Sequence, residues 1–143
     1  MRVLVLNGPN LGSLGRREPE VYGSRTVADL ESMLAARAAE LGIQLHCLQS
    51  NHEGQLIDWI EREALGTDAI IINPGALSHT SVALADALRG SGKPVIEVHI
   101  SNVFAREPER HQMVTAAAAK AVISGLGFDG YLAALNFVTT LRA

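Results

Sequence analysis

Cysteine appears once in the chain, as Cys47, and a lone thiol cannot close an internal disulfide. Lysine is almost as scarce, with Lys93 and Lys120 the whole supply. Carbonyl chemistry through an imine needs a lysine amine. Both lysines precede apolar runs that read as strands, on the rim away from the polar clusters described below, so imine chemistry is not expected. The histidines, His46, His52, His79, His99 and His111, lack the helical spacing of a metal site, and neither a metal nor another cofactor is expected. There is no basic excess, the net charge being −3, which argues against a nucleic-acid partner. No apolar run approaches the ~20 residues of a membrane span. The opening apolar run is too short for a signal peptide and ends in a turn. Together with the unpaired thiol, it points to a cytoplasmic protein.

What is present is a supply of core. Hydrophobic residues make up 48% and charged residues 19% of 143 positions, which suits one domain spanning 1–143. Five short apolar runs, 3–7, 43–48, 69–73, 95–99 and 121–124, have the character of buried parallel strands. Helix-like segments separate them. Thr26-Val27-Ala28-Asp29 has the form of a capping box. It opens a helix with Val27, Leu30, Leu34, Ala38 and Leu41 on one face, closed by Gly42. A second helix is expected over 55–64, with Leu56, Ile57 and Ile60 inward. A third is expected over 80–89, with Val82, Ala85 and Leu88 inward and Ser78 or Thr80 as its cap. A last helix follows Gly127 and carries Tyr131, Leu132, Leu135 and Val138. Strict β-α alternation implies an α/β sandwich of three layers, a parallel sheet between helices. Five strands suggest the flavodoxin-like order 2-1-3-4-5, which places ligands beyond the carboxyl ends of the strands, near strands 1 and 3.

The polar clusters fall where that rule points. Asn7-Gly8-Pro9-Asn10-Leu11-Gly12 follows strand 1 and reads by itself as turn chemistry. It lacks the Gly-Lys-Ser/Thr ending of a phosphate loop and the glycine spacing of a dinucleotide site. Arg16-Arg17-Glu18-Pro19-Glu20-Val21-Tyr22-Gly23 could be a solvated charged loop. Its length suggests a binding loop or lid, and it sets guanidinium groups near a phenol, where positive charge favours phenolate. Asn73-Pro74-Gly75-Ala76-Leu77-Ser78-His79-Thr80-Ser81 turns into the third helix. The free N–H groups of a helix start attract carbonyl or anionic ligands, and His79 lies there, where a cation is disfavoured. Glu97-Val98-His99-Ile100-Ser101-Asn102 ends strand 4, and alternation puts Glu97 and His99 on one side. A carboxylate beside an imidazole fixes its tautomer.

Taken in order, further runs join these: Gln49-Ser50-Asn51-His52-Glu53-Gly54, then Ala105-Arg106-Glu107 with Arg110, then Gly125-Leu126-Gly127 and Gly130-Tyr131-Leu132. With Leu6–Leu11, Arg17-Glu18-Pro19 and Tyr22-Gly23 they cover nearly the whole chain, and the chain resembles the type II 3-dehydroquinate dehydratases. The resemblance implies dehydration of the small molecule 3-dehydroquinate to 3-dehydroshikimate in the shikimate pathway, by trans elimination through an enolate. By resemblance Tyr22 is the base and Arg17 activates it. Asn10 holds a water at the enolate, and His99 is the acid, steadied by Glu97. Substrate is held at Asn73, Gly75, His79, Ile100, Ser101 and Arg110. Asp86 matches a residue that reaches across a subunit contact, and the family assembles as trimers built into a dodecamer.

The chain departs from the family's usual pattern at Phe104, where a histidine is frequent, and through the segment 108–119 around Arg110. Arg106 and Arg110 are retained. The alternative is a non-enzymatic flavodoxin-like binding module. It would want a phosphate-cradling loop rich in Ser/Thr, or paired acids, after strand 1, where this chain has Arg16, Arg17 and Tyr22.

Overall fold

Apolar runs bounded by Gly, Pro and Asn form the strands β1 (Arg2–Asn7), β2 (Gln44–Gln49), β3 (Ala69–Asn73), β4 (Val95–His99) and β5 (Ala121–Ser124). In the computed structural model, which describes residues 1–142, they pair in parallel in the order β2-β1-β3-β4-β5. The helices are α1 (Pro19–Tyr22), α2 (Val27–Leu41), α3 (Glu53–Glu63), α4 (Val82–Gly90) and α5 (Asp129–Val138). None is long and apolar enough to cross a membrane among the described residues.

Alternation along the central strands splits the core in two. Val3, Val5, Ile71, Ile96 and Val98 pack with Leu30 and Leu34 of α2 and with Tyr131 and Leu135 of α5. Leu4, Leu6, Ile70 and Ile72 face the other way, onto Leu56 and Ile60 of α3 and Leu84 and Leu88 of α4. Truncating one of these wholly buried leucines to alanine costs about 2–5 kcal/mol in transfer free energy and cavity.

The capping box forms as expected: Thr26 Oγ1 accepts from Asp29 N at 3.1 Å, and Thr26 N donates to Asp29 Oδ2 at 2.9 Å. Gly42 ends α2 in the left-handed region, where a side chain would be strained.

Three expectations need correction. The strands at 43–48 and 121–124 are the sheet's edges, not buried strands, so each is only partly covered, and Val122 is exposed. Neither Ser78 nor Thr80 caps α4; Ser81 does, its Oγ accepting from Leu84 N at 2.9 Å. A 3-10 turn, Gly75–His79, intervenes and carries Ser78 into the interior. With α4 starting at Val82, its buried stripe is Leu84, Ala85 and Leu88, and Val82 faces solvent.

The loops after β1 and β3 meet backbone to backbone. Asn7 and Asn73 are register partners at the ends of their strands, and Gly8 N donates to Asn73 O at 2.8 Å. A Cβ at Gly8 would lie 2.5 Å from Pro74 O, and one at Gly75 would lie 2.9 Å from Pro9 O. Only glycine permits an approach this close.

Candidate active site

The chain leaving β1 folds back across the carboxyl ends of the strands. Asn10 sits in the left-handed region and its N–H donates to Asn51 Oδ1 at 3.0 Å. Left-handed Glu18 turns the chain into Pro19, whose fixed φ suits the first position of α1. Tyr22 at the end of α1 packs half-buried against the core. Its hydroxyl accepts from Arg106 Nη1 at 2.5 Å, and the Arg17 guanidinium lies 4.8 Å from the ring centroid. Arg106 is itself held by Ser101 Oγ at 3.5 Å, by Glu107 at 3.6 Å and by Glu18 at 3.8 Å. Burial works against the Arg106 charge, but the bond to Tyr22 and the neighbouring carboxylates outweigh it and raise its hold on its proton. Glu107 is held below the usual carboxylate range, first by a backbone N–H and then by Arg110 and Arg106.

The end of β4 supplies a different apparatus. Glu97 is wholly buried, and its Oε2 lies 2.6 Å from His99 Nε2. Facing an ionised carboxylate, which only accepts, Nε2 would be the protonated nitrogen and Nδ1 the one available to a ligand. Two hydroxyls also reach the carboxylate, Ser78 Oγ at 2.8 Å and Thr115 Oγ1 at 2.5 Å. The His79 ring lies 6.3 Å from that of His99, and its Nδ1 donates to Gln112 O at 2.7 Å.

Between the two halves lies a narrow cleft. Asn10, Arg17, Tyr22, Asn73, Gly75, His79, His99, Ile100, Ser101 and Arg110 line it, with Pro9, Leu11, Ala76 and Val103. Asn73 is oriented from behind: its Oδ1 accepts from Gly75 N at 3.0 Å and its Nδ2 donates to Tyr131 Oη at 3.0 Å. The loop carrying Ile100 and Ser101 is pinned by Ser124, whose Oγ donates to Ser101 O at 3.1 Å and accepts from Val103 N at 3.2 Å. Arg110 is steadied by Glu107 at 3.0 Å.

A family model described as Dehydroquinase class II matches residues 1–139. The chain belongs to the class II dehydroquinase family. A 3-dehydroquinate dehydratase of Deinococcus radiodurans is 56% identical over 137 residues, covering 95% of this chain and 96% of that protein. One of Roseiflexus castenholzii is 53% identical over 142 residues, covering 99% and 90%. The crystal structure of a type II dehydroquinase from Butyrivibrio crossotus superposes with a TM-score of 0.96 at 44% identity, covering 97% of each chain.

Within this class II dehydroquinase the sequence-derived residues fall into three groups. The ten named above as candidates converge on the cleft, with Glu97 directly behind His99. Asp86 does not join them. It is exposed on α4, paired with Arg89 at 3.5 Å, beside a groove lined by Ile57, Ile60, Glu61 and Leu65. Lys93 and Lys120 line a hollow with Pro94 and Val95 at the amino ends of β4 and β5. Among the described residues no three His, Cys, Asp or Glu side chains gather as a metal cluster.

Sequence reasoning misses several contributors. It marks Arg106 only as retained, with no role of its own, yet this residue bonds the phenol of Tyr22 across 84 positions. Ser78 and Thr115 serve Glu97, and neither spacing nor hydropathy separates such hydroxyls from caps and turns. Tyr131 orients Asn73, and its place in an apolar helix face marks it only as core.

Proposed function

We propose that this chain removes water from 3-dehydroquinate to give 3-dehydroshikimate, by trans elimination through an enolate, in the shikimate route to aromatic amino acids. The observation that carries this reading is the pairing in one cleft of a phenol held by guanidinium groups and an imidazole held by a buried carboxylate. Family membership and the names of the relatives support the substrate.

Tyr22, as phenolate, takes the proton α to the ketone, and the C–H electron pair moves to the ketone oxygen as an enolate. Arg106 at the phenol oxygen and Arg17 over the ring stabilise the charge that the phenolate brings. Asn10 holds a water against the enolate oxygen, a preorganised dipole where charge develops. The enolate then collapses to the conjugated enone, the C–O bond breaks, and His99 gives its proton so that the hydroxyl leaves as water. Glu97 stabilises the imidazolium before that transfer. Acid and base each contribute roughly 10²–10⁴-fold. The backbone N–H of Ile100, the Ser101 hydroxyl and Arg110 suit the substrate carboxylate. Asn73, Gly75 and His79 suit its hydroxyls.

Asp86, remote from the cleft of its own chain, fits a role at the cleft of a second copy, in a homo-oligomer of trimers joined into a dodecamer. A cytoplasmic location suits a pathway enzyme with a single free thiol. The flavodoxin-like binding module is not favoured, because the family is named for catalysis and the loop after β1 presents arginines and a phenol.

The test is to add 3-dehydroquinate to the purified protein and follow the ultraviolet absorbance of the conjugated enone. A rising signal without added metal or cofactor is expected. No signal at substrate concentrations that relatives turn over would overturn the reading.

A further inference from the structure

The carboxylate of Glu97 is wholly buried, and among the described residues no arginine or lysine pairs with it; its one ionic partner is His99. A carboxylate removed from water remains charged only where donors replace its hydration. Here two hydroxyls do so. Thr115 Oγ1 donates to Oε1 at 2.5 Å, and Ser78 Oγ donates to Oε2 at 2.8 Å, the oxygen that also meets His99. Both hydroxyl-bearing residues are wholly buried. They come from separate elements, Ser78 from the turn after β3 and Thr115 from the start of the 3-10 turn Thr115–Ala118. The two elements are tied together, since Val114 N donates to Ser78 O at 2.6 Å.

We propose that Ser78 and Thr115 are positioning residues that keep Glu97 ionised and aimed, so that the proton shared by the Glu97–His99 pair stays on the imidazole. Without them the dry carboxylate is the better home for that proton. His99 then becomes a neutral imidazole, a far weaker acid than imidazolium, and cannot serve the departing hydroxyl at the same rate. The segment 108–119, where the sequence leaves the family's usual pattern, thereby gains a definite role, the delivery of a hydroxyl to the acid's partner. This inference rests on the assignment of His99 as the acid.

Thr115→Val keeps the shape and removes the donor, Thr115→Ser restores the donor, and Ser78→Ala tests the second hydroxyl. In Thr115→Val, kcat for dehydration is expected to fall roughly 10- to 100-fold, the scale of one hydrogen bond to a charged group. KM should stay within about twofold and exchange of the α-proton with solvent should persist, because the base side is untouched. Nitrogen-15 NMR should show the His99 ring moving from an imidazolium pattern towards a neutral one, and Thr115→Ser should restore both rate and spectrum. If Thr115→Val fails to fold, Ser78→Ala carries the same expectations. Unchanged kcat with unchanged His99 signals would overturn the proposal, as would a loss that the serine variant does not rescue. Failure of the acid assignment would look different. His99→Ala would then keep its dehydration rate, while the ring signals of His99 in Thr115→Val would still report whether the hydroxyl governs the pair.

Discussion

Tyr22 and Tyr131, the chain's two tyrosines, end up as opposite kinds of phenol. Tyr22 stands half-buried on a short helix at the rim, with Arg106 on its oxygen and Arg17 over its ring. Tyr131 is wholly buried in α5. Its hydroxyl donates to Asn7 Oδ1 at 2.6 Å and accepts from Asn73 Nδ2 at 3.0 Å. Burial raises its pKa, the Asn73 bond pulling the other way and Cys47 adding slightly to the rise. One side chain therefore becomes a reagent in one place and a strut in the other. What differs is the surroundings: cations and a substrate cleft around the first, neutral amides and hydrocarbon around the second. The strut still serves the cleft, because it fixes which way the Asn73 amide turns.

The widest separation should come from removing each hydroxyl in turn. Tyr22→Phe should lose at least roughly 10³-fold in kcat, within the range for a deleted general base. Its thermal unfolding should stay close to that of the parent, since the ring remains packed. Tyr131→Phe should do the reverse. It strands Asn7 Oδ1, on a side chain whose buried Nδ2 already has no partner among the described residues, together with Asn73 Nδ2. A buried group left unsatisfied costs about 1–3 kcal/mol. Stability should fall by about that much, and the kinetic effect should be a KM increase of a few-fold through a loosened Asn73. Turnover by Tyr22→Phe near the parent rate, or a silent Tyr131→Phe melt, would erase the contrast.

How far this contrast could be read from sequence differs between its two halves. The frame was legible because it depends on local pattern. The apolar runs 69–73, 95–99 and 121–124 match β3, β4 and β5, and Thr26-Val27-Ala28-Asp29 starts α2 as a capping box should. The pairing of Glu97 with His99 followed from strand alternation alone. Contacts between distant segments were not legible. Arg106 reaches Tyr22 only because the loops after β1 and β4 meet at the same end of the sheet. Ser78 looked like a helix cap because nothing local reveals that a 3-10 turn tucks it beneath β4. Edge strands read as buried because hydropathy reports what a strand could bury, not whether a neighbour covers it.

If cations make the reagent, removing them should turn Tyr22 into a phenol as idle as Tyr131. Arg106→Met and Arg17→Met should each lower kcat roughly 10- to 100-fold, the scale of a lost charge-assisted interaction. Arg17→Lys should recover only part of this, because an ammonium lacks the planar face that lies over the ring. The melting temperature should change little in Arg17→Met, whose guanidinium sits in a partly exposed ion pair of the kind worth about 0–1 kcal/mol, and should fall further in Arg106→Met, whose side chain is largely covered and bonds the Tyr22 hydroxyl. Steady-state kinetics of the three variants beside their melts decides the matter. A full rate in both methionine variants would show that the arginines serve only to hold the loop.

The smallest effect concerns the strut and its neighbour at alkaline pH. Cys47 on β2 is half-buried, and burial first, then the charge of Glu31, pushes its thiol up to about 12 from an ordinary 9.0. Tyr131 is raised in the same direction and for the same leading reason. Above the ordinary thiol and phenol values the unfolded chain has released protons that the native chain still holds. The unfolded state then binds fewer protons, so stability falls as pH rises. The decline should begin near pH 9, where the unfolded thiol ionises, and continue towards about 12 as the native thiol follows. A Cys47→Ala variant should soften the slope over that window while leaving activity at neutral pH alone, because the thiol lies outside the cleft. In Tyr22→Phe the remaining phenol should ionise only as the fold is lost, so that spectrophotometric titration and circular dichroism give coincident transitions. Ionisation of Tyr131 well before the loss of native dichroism would mean that water reaches it, and that its hydroxyl does not hold Asn73 as tightly as the distances imply.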